Sequence, residues 1–151
     1  MLIELRIRDY AVIDELRLEL GPGLTVLTGE TGAGKSIVVG ALSLLLGERA
    51  SAEVVRDGAS RARVEAVFDV AGRPEVEDAL RPLGLEAPDG LLILVREVAA
   101  EGRNRAWING SPATAGTVGE LGRLLVDLHG QHEHQTLLRP DEQRWILDAY
   151  A

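Results

Sequence analysis

The chain has 151 residues, enough for one domain with a sizeable core, and a net charge of −8 that argues against its being, alone, a strong nucleic-acid binder. It contains no cysteine, which excludes disulfides and thiolate metal sites and fits the cytoplasm. No run of about 18 apolar residues offers a membrane span, and the opening MLIELRIRDY, with Glu4 and Asp9, lacks the basic start and apolar block of a secretory signal.

Taken in chain order, LIELRIR alternates Leu5 and Ile7 with Glu4, Arg6 and Arg8, the pattern of a half-buried strand. DELRLEL repeats it with Leu16, Leu18 and Leu20, and the turn Gly21-Pro22-Gly23 ends it. One-sided alternation of this kind predicts an antiparallel pair. LTVLT, residues 24–28, is apolar on both faces and predicts a buried central strand. After a glycine-rich turn, SIVVGALSLLLG is long enough for about three helical turns and stops at Gly47. RVEAVFDV predicts a strand, and RPEVEDALRPLG a short helix opened by Pro74 and closed by Gly84. LLILVREV predicts another strand, followed by a turn at EGRN, the segment RAWI and a turn at Asn109-Gly110. Thr117 and Glu120 stand at capping-box spacing ahead of LGRLL. LVDLHG is a candidate short strand, and PDEQRWILDAY has the proline and acids of a helix start. Arginines gather in RDGASRAR (Arg56, Arg61, Arg63) and EGRNRAW (Arg103, Arg105), which suits a solvated face or a local nucleic-acid patch.

Lys35 is the only lysine; every other basic side chain is an arginine. It lies in GETGAGKS, which matches the phosphate-loop pattern in full: Gly29, Glu30, Thr31, Gly32, Ala33, Gly34, Lys35 and Ser36. The chemistry accounts for the residue types. Glycines permit close backbone approaches, and successive N–H groups then cradle phosphate oxygens. The helix start through Ser36 and Ile37 adds its free N–H groups and its dipole. Lys35 supplies a compact charge with rotatable donors, where the planar fork of arginine suits a closed loop less well. Ser36 is placed to hold Mg²⁺ through its hydroxyl. The pattern points to a nucleoside triphosphate such as ATP, with Mg²⁺.

Three readings share that loop. A self-contained kinase-like enzyme needs a second carboxylate at a strand end, and Asp127 is the candidate, although Leu128 rather than an adjacent acid follows it. HGQHEHQ offers His129, His132, Glu133 and His134 as metal ligands, without the H-E-x-x-H spacing or a cysteine pair, and is otherwise a polar surface loop.

The third reading is a resemblance. LRIRDYAVIDELRLEL, GLTVLTGETGAGKSIVVGALSLLLGERA, VRDGASRARVEAVF, GRNRAWING and LLVDLHGQHEHQTLL, in that order across the chain, closely resemble the N-terminal end of the RecN family of bacterial DNA repair proteins. That family groups with the structural-maintenance-of-chromosomes (SMC) proteins, whose heads are ABC-type ATPases. The loop is shared by many families; GQHEHQ and RNRAWING are more specific. The resemblance implies that Gln131 is the glutamine of a Q-loop spanning about residues 129–135, close to Mg²⁺ and the attacking water. An amide suits that place, since it accepts from water or ligates a metal without adding charge. It implies that Arg56 is the arginine of the R-loop near nucleotide or DNA, the alternative being a surface arginine. The hairpin at Trp107 and Asn109 is structural on this view.

The resemblance also implies what a complete head requires: an LSGG-like signature and a strand ending in adjacent Asp and Glu. Neither occurs here; VGELG, residues 118–122, is not a signature. Residues 1–151 are thus expected to be the N-terminal half of a split head, with the coiled coil and C-terminal half outside them. The expected fold class is α/β: a P-loop NTPase, the N-terminal lobe of an ABC-type ATPase head, with an added antiparallel β-sheet. The implied function is ATP binding in a Mg²⁺-dependent ATPase serving DNA double-strand break repair and recombination, the fragment alone being inactive in hydrolysis. The implied partners are the C-terminal half of the same protein, a second copy of the head and DNA, with no membrane. The implied location is cytoplasmic and nucleoid-associated.

Overall fold

The computed structural model describes residues 1–29 and 34–128. Its frame is a six-stranded antiparallel sheet in the order β2-β1-β3-β4-β5-β6. The strands are β1 (Leu2–Tyr10), β2 (Ile13–Glu19), β3 (Arg61–Asp69), β4 (Leu91–Ala99), β5 (Arg105–Ile108) and β6 (Ser111–Ala113). Helices α1 (Gly34–Leu45), α2 (Pro74–Leu80) and α3 (Ala115–Leu125) pack on one face, with single 3₁₀ turns at Ala52–Val54, Arg81–Leu83 and Pro88–Gly90.

The period-2 alternation of the strands creates the two faces. In register, Ile7 stands opposite Val64 and Leu5 opposite Ala66, Phe68 opposite Leu92 and Ala66 opposite Leu94, and Leu94 opposite Ile108. These side chains are buried and meet Val38, Ala41, Leu44 and Leu45 of α1, Val76 and Leu80 of α2, and Val118 and Leu121 of α3. Such burial supplies the dominant stabilisation, about 1.5–3 kcal/mol for each large apolar side chain.

The other face is a mesh of opposite charges. Arg6 pairs with Glu65 at 3.1 Å, Arg8 with Glu15 at 2.8 Å, Arg17 with Glu4 at 2.8 Å, and Arg63 with Glu65 at 2.9 Å. Arg61 and Arg63 both reach Glu97 at 3.2 Å, and the Arg63 guanidinium lies 5.6 Å from the centre of the Trp107 ring. Arg61 and Arg63 therefore belong to a solvated, mutually neutralised face rather than to a basic patch. Each exposed pair contributes only about 0–1 kcal/mol, and like charges stand directly opposite at Glu4–Glu19, Arg6–Arg17 and Arg8–Arg63, so it is the buried inner face that sets the register.

Several turns follow their residues closely. Asn109 and Gly110 take φ of 47° and 79°, the paired left-handed conformation of a tight hairpin turn. Asn109 does more than turn the chain: its Oδ1 accepts from the Ile93 N–H at 2.7 Å, and its Nδ2 donates to the Glu86 carbonyl at 2.7 Å. Gly47, at φ 89°, ends α1.

Three expectations need correction, and one strand was not foreseen. Residues 24–28 form no strand: Leu24 is 92% exposed, Val26 68% and Leu27 47%. A strand needs neighbours on its hydrogen-bonding edges, and the described residues place none there. The cap of α3 is Thr114, whose Oγ1 accepts from the Thr117 N–H at 3.1 Å, so the helix starts one turn before Thr117. Of the strand expected at LVDLHG, residues 125–130, Leu125 belongs to α3 and 126–128 form no strand, while 129 and 130 lie outside the described residues. The unforeseen element is β6, which continues the sheet after the Asn109-Gly110 turn as its sixth strand, and which periodicity over three residues does not reveal. The helix expected from Pro140 onward lies outside the described residues.

α1 and α3 approach at backbone distance. A Cβ added at Gly119 would stand 2.6 Å from Gly47 Cα, and one at Gly122 would overlap the Leu45 carbonyl oxygen. Gly122→Ala should therefore destabilise the fold by about 1–3 kcal/mol in a denaturant titration, as overpacking does when backbone rather than a flexible side chain must yield. The outer face generates a pH prediction. Burial pushes the Glu4 carboxyl up, but the guanidiniums of Arg6 and Arg17 outweigh this and hold it below its ordinary value of 4.5. As acid is added the unfolded chain takes up that proton first. The stabilisation is complete above 4.5 and is lost as pH falls through the lowered folded value. Melting curves of the native chain and Glu4→Gln should differ at neutral pH and converge in acid.

Candidate phosphate-binding site

α1 begins at Gly34, so Gly34, Lys35 and Ser36 are its first turn and all three are exposed. The N–H groups of a first helical turn have no acceptor within the helix, and they present the positive end of its dipole. No acidic side chain occupies that turn. The Lys35 Nζ reaches back to donate to the Gly29 carbonyl oxygen at 2.6 Å. The two ends of GETGAGKS are thereby drawn together, with the ammonium at the mouth between them. An ammonium has three donors, of which one goes to Gly29 among the described residues. Ile37, the next residue, is partly buried against the core and turns the helix inward. Glu30, Thr31, Gly32 and Ala33 lie outside the described residues.

The remaining candidates fare differently. Arg56 lies beside the β1–β2 hairpin tip. Its backbone N–H donates to the Asp9 carbonyl at 2.9 Å, and its Nη1 donates to Asp14 Oδ1 at 3.0 Å, with Asp9 Oδ1 at 4.0 Å. The tip is itself unusual: Asp9 and Ala11 take φ of 50° and 51°. Such conformations cost about 1 kcal/mol or more each, and the 54–56 segment holds them through Ala11 N–H to Val54 O at 2.7 Å. Arg56 is thus anchored to the hairpin by two aspartates, and the structure gives it no contact with Lys35 or Ser36. Asp127 is exposed and follows α3 rather than a strand, which removes the strand-end geometry that a kinase-like Mg²⁺ site would need. Among the described residues no group of three His, Cys, Asp or Glu side chains could hold a metal. His129, Gln131, His132, Glu133 and His134, and with them the whole Q-loop candidate, lie outside the described residues. No described helix is long and apolar enough to cross a membrane.

The residues present suit a polyphosphate. Among the described residues, a first helical turn without an acidic side chain and the Lys35 ammonium lie together and exposed, and the Ser36 hydroxyl is an oxygen there that could ligate a divalent cation. What periodicity and motif did not single out is how α1 is held. Tyr10 at the hairpin end sets its hydroxyl against Gly40 of α1, 3.0 Å from where a Cβ would be. Arg96, on β4, faces the helices rather than solvent. The available signal was an arginine in the apolar row Leu92, Leu94, Arg96, Val98.

Comparison with known proteins agrees with this geometry. A family model described as an AAA domain matches residues 4–79. The DNA repair protein RecN of Halalkalibacterium halodurans is 47% identical over 151 residues, all of this chain and 27% of that protein. RecN of Streptomyces coelicolor is 48% identical over 147 residues, 97% of this chain and 26% of that protein. The chain thus spans about a quarter of the length of these relatives. Among solved structures, a chain from work on ATP-driven dimerisation and DNA-stimulated activation of SMC ATPases superposes with a TM-score of 0.69 at 20% identity, covering 99% of both chains. ATP-bound RecF, a recombination mediator protein, gives 0.66 at 18% identity, covering 99% of this chain and 38% of that one. The SMC head domain from Thermotoga maritima gives 0.58 at 21% identity, over 76% of this chain and 39% of that one. These likenesses show the fold. With a phosphate loop opening α1 on an antiparallel sheet, the chain belongs to the AAA-domain family, built as the N-terminal lobe of a P-loop ATPase head and similar along its whole length to RecN DNA repair proteins.

Proposed function

We propose that this chain is the ATP-binding half of a split, SMC-like ATPase head that acts in DNA double-strand break repair and recombination. The observation that carries the reading is the Lys35 ammonium closing onto Gly29 from a first turn of α1 that holds no acidic side chain, in a chain 47% identical throughout to a RecN protein. In this reading the N–H groups of Gly34, Lys35 and Ser36 and the backbone of Gly29 to Ala33 bind the phosphates, Lys35 neutralises the terminal ones, and Arg56 lies to the nucleotide's side. Ser36 and Gln131 would hold Mg²⁺, which supplies charge neutralisation for phosphoryl transfer to water. Gln131 orients that water through its amide.

The carboxylate that activates water belongs, on this reading, to the C-terminal half of the same protein. The exposed run Leu24, Val26 and Leu27 supports that assignment. Three exposed apolar side chains ahead of the loop, on backbone without strand partners among the described residues, are what a central strand presents before its neighbours arrive. A second copy of the head would close the site from the other side. The superposable SMC ATPase comes from work on ATP-driven dimerisation, which favours an engagement cycle over metabolite chemistry. Likeness to DNA repair proteins supports DNA tethering as part of the proposal; the charge of −8 adds nothing to it. Cytoplasmic, nucleoid-associated work is the corresponding setting.

Lys35→Ala in the full-length protein should lose most ATP binding, since each charge-assisted hydrogen bond removed is worth about 1.5–3 kcal/mol. Equilibrium nucleotide titration measures it, and unchanged affinity with unchanged hydrolysis defeats the reading. Residues 1–151 alone should hydrolyse no ATP until the C-terminal half is added; full activity of the 151-residue chain would revive the self-contained enzyme. Because Lys35 is the chain's one lysine, acylation mapped by mass spectrometry should mark it, and Mg²⁺-ATP should protect it.

A further inference from the structure

The proposed chemistry uses α1 as the carrier of its phosphate-binding groups and leaves one buried charge without a role. Arg96 is 2% exposed. Register sets it between Val64 of β3 and Ala106 of β5, on the face that the helices cover. Its Nη1 donates to the Leu44 carbonyl oxygen, in the last turn of α1, at 2.9 Å. Its buried Nε has no partner, and no ion pair holds the guanidinium among the described residues. Burial pushes its pKa below the ordinary arginine value.

A buried cation of this kind is tolerated only while its acceptor stays in place. The acceptor is the negative end of a helix dipole, the favourable site for a cation. A shift of α1 along its axis by one residue, about 1.5 Å, would carry Leu44 away and strand the guanidinium among apolar side chains. α3 grips the same end: Arg123 Nη1 donates to the Leu46 carbonyl at 2.8 Å, and Gly119 and Gly122 admit the backbone at 45–47. Nearer the loop, one helical turn beyond Ser36, Gly40 receives the Tyr10 hydroxyl.

We propose that Arg96 and Tyr10 are positioning residues for nucleotide binding: Arg96 at the carbonyl end and Tyr10 at Gly40 fix the axial place of α1, and so the place of Gly34, Lys35 and Ser36. This inference rests on residues 29–36 being the nucleotide site. Neither residue touches the phosphates.

The test uses the full-length protein. Arg96→Met keeps a long side chain and removes the charge and donor. Replacing a buried ion by a well-packed apolar residue is commonly neutral or stabilising, so the melting temperature holds while ATP binding weakens about tenfold, as misplacement of binding groups does. Arg96→Lys, with a charge and a donor retained, recovers most of that affinity. Amide hydrogen exchange accelerates in α1 but not in β1 or β3, a readout that needs no nucleotide. Independently, Gly40→Ala favours the helix by propensity yet drives a methyl onto the Tyr10 oxygen. ATP affinity falls, and Tyr10→Phe added to it restores binding. The Gly40 pair decides the matter if Arg96→Met does not fold. The inference is overturned if Arg96→Met and Gly40→Ala both bind ATP within about twofold of the native protein, or if exchange accelerates equally in every element. Native ATP binding that ignores Lys35→Ala overturns the parent reading instead.

Discussion

The position of the phosphate loop depends on the seating of α1 against the apolar face of the antiparallel sheet. Val38, Ala41, Leu44 and Leu45 bury the inner stripe of that helix against strands β3 and β4, and hydrophobic burial supplies the bulk of the free energy. Burial by itself is non-directional, however, and an apolar stripe can slide by part of a turn at little cost. Directional contacts remove that freedom. Arginines from β4 and α3 take carbonyls at the helix end, and glycines of α3 let backbone meet backbone. At the opposite end, the first turn of the helix holds no acidic side chain and carries Lys35, which donates to the Gly29 carbonyl. A fastened carbonyl end thus sets where that first turn stands.

The two faces of the sheet divide the remaining work. The inner face holds the core and, among the described residues, one buried arginine, Arg96. The outer face carries as many guanidiniums as carboxylates can neutralise, so Arg61 and Arg63 are committed to Glu97 and Glu65. Arg56 is likewise taken up by Asp14 and Asp9 at the hairpin tip. Among the described residues these three arginines therefore add no basic patch to the surface.

Sheet strands were legible because each buries one face only, and alternation of Leu5 and Ile7 with Glu4 and Arg6 leaves little choice of register. The phosphate loop was legible because its residue types answer to chemistry at fixed spacing. The strand expected at Leu24–Thr28 shows where such reasoning fails. Its apolar, β-branched composition suits a buried central strand, but a strand exists only with neighbours, and the described residues bring none to it. The cap at Thr114 was misplaced by one turn because Thr114 and Thr117 are both threonines at cap spacing, and only the helix itself selects between them. Asn109, attributed to turn geometry, also ties β4 to the 86–87 backbone, a long-range contact that no local pattern encodes.

The sequence by itself determined the strand faces, the helix that follows the loop, and the chemistry of Gly29 to Ser36, because those depend on periodicity and on residue type at short range. The tertiary structure alone decided which charges are spent and which are free. Arg96 reads in the sequence as one more arginine in a strand, and Tyr10 as one more apolar residue at a strand end. Only the assembled fold places one beneath the carbonyl end of α1 and the other against Gly40, since helix position is set by side chains more than fifty and about thirty residues away along the chain.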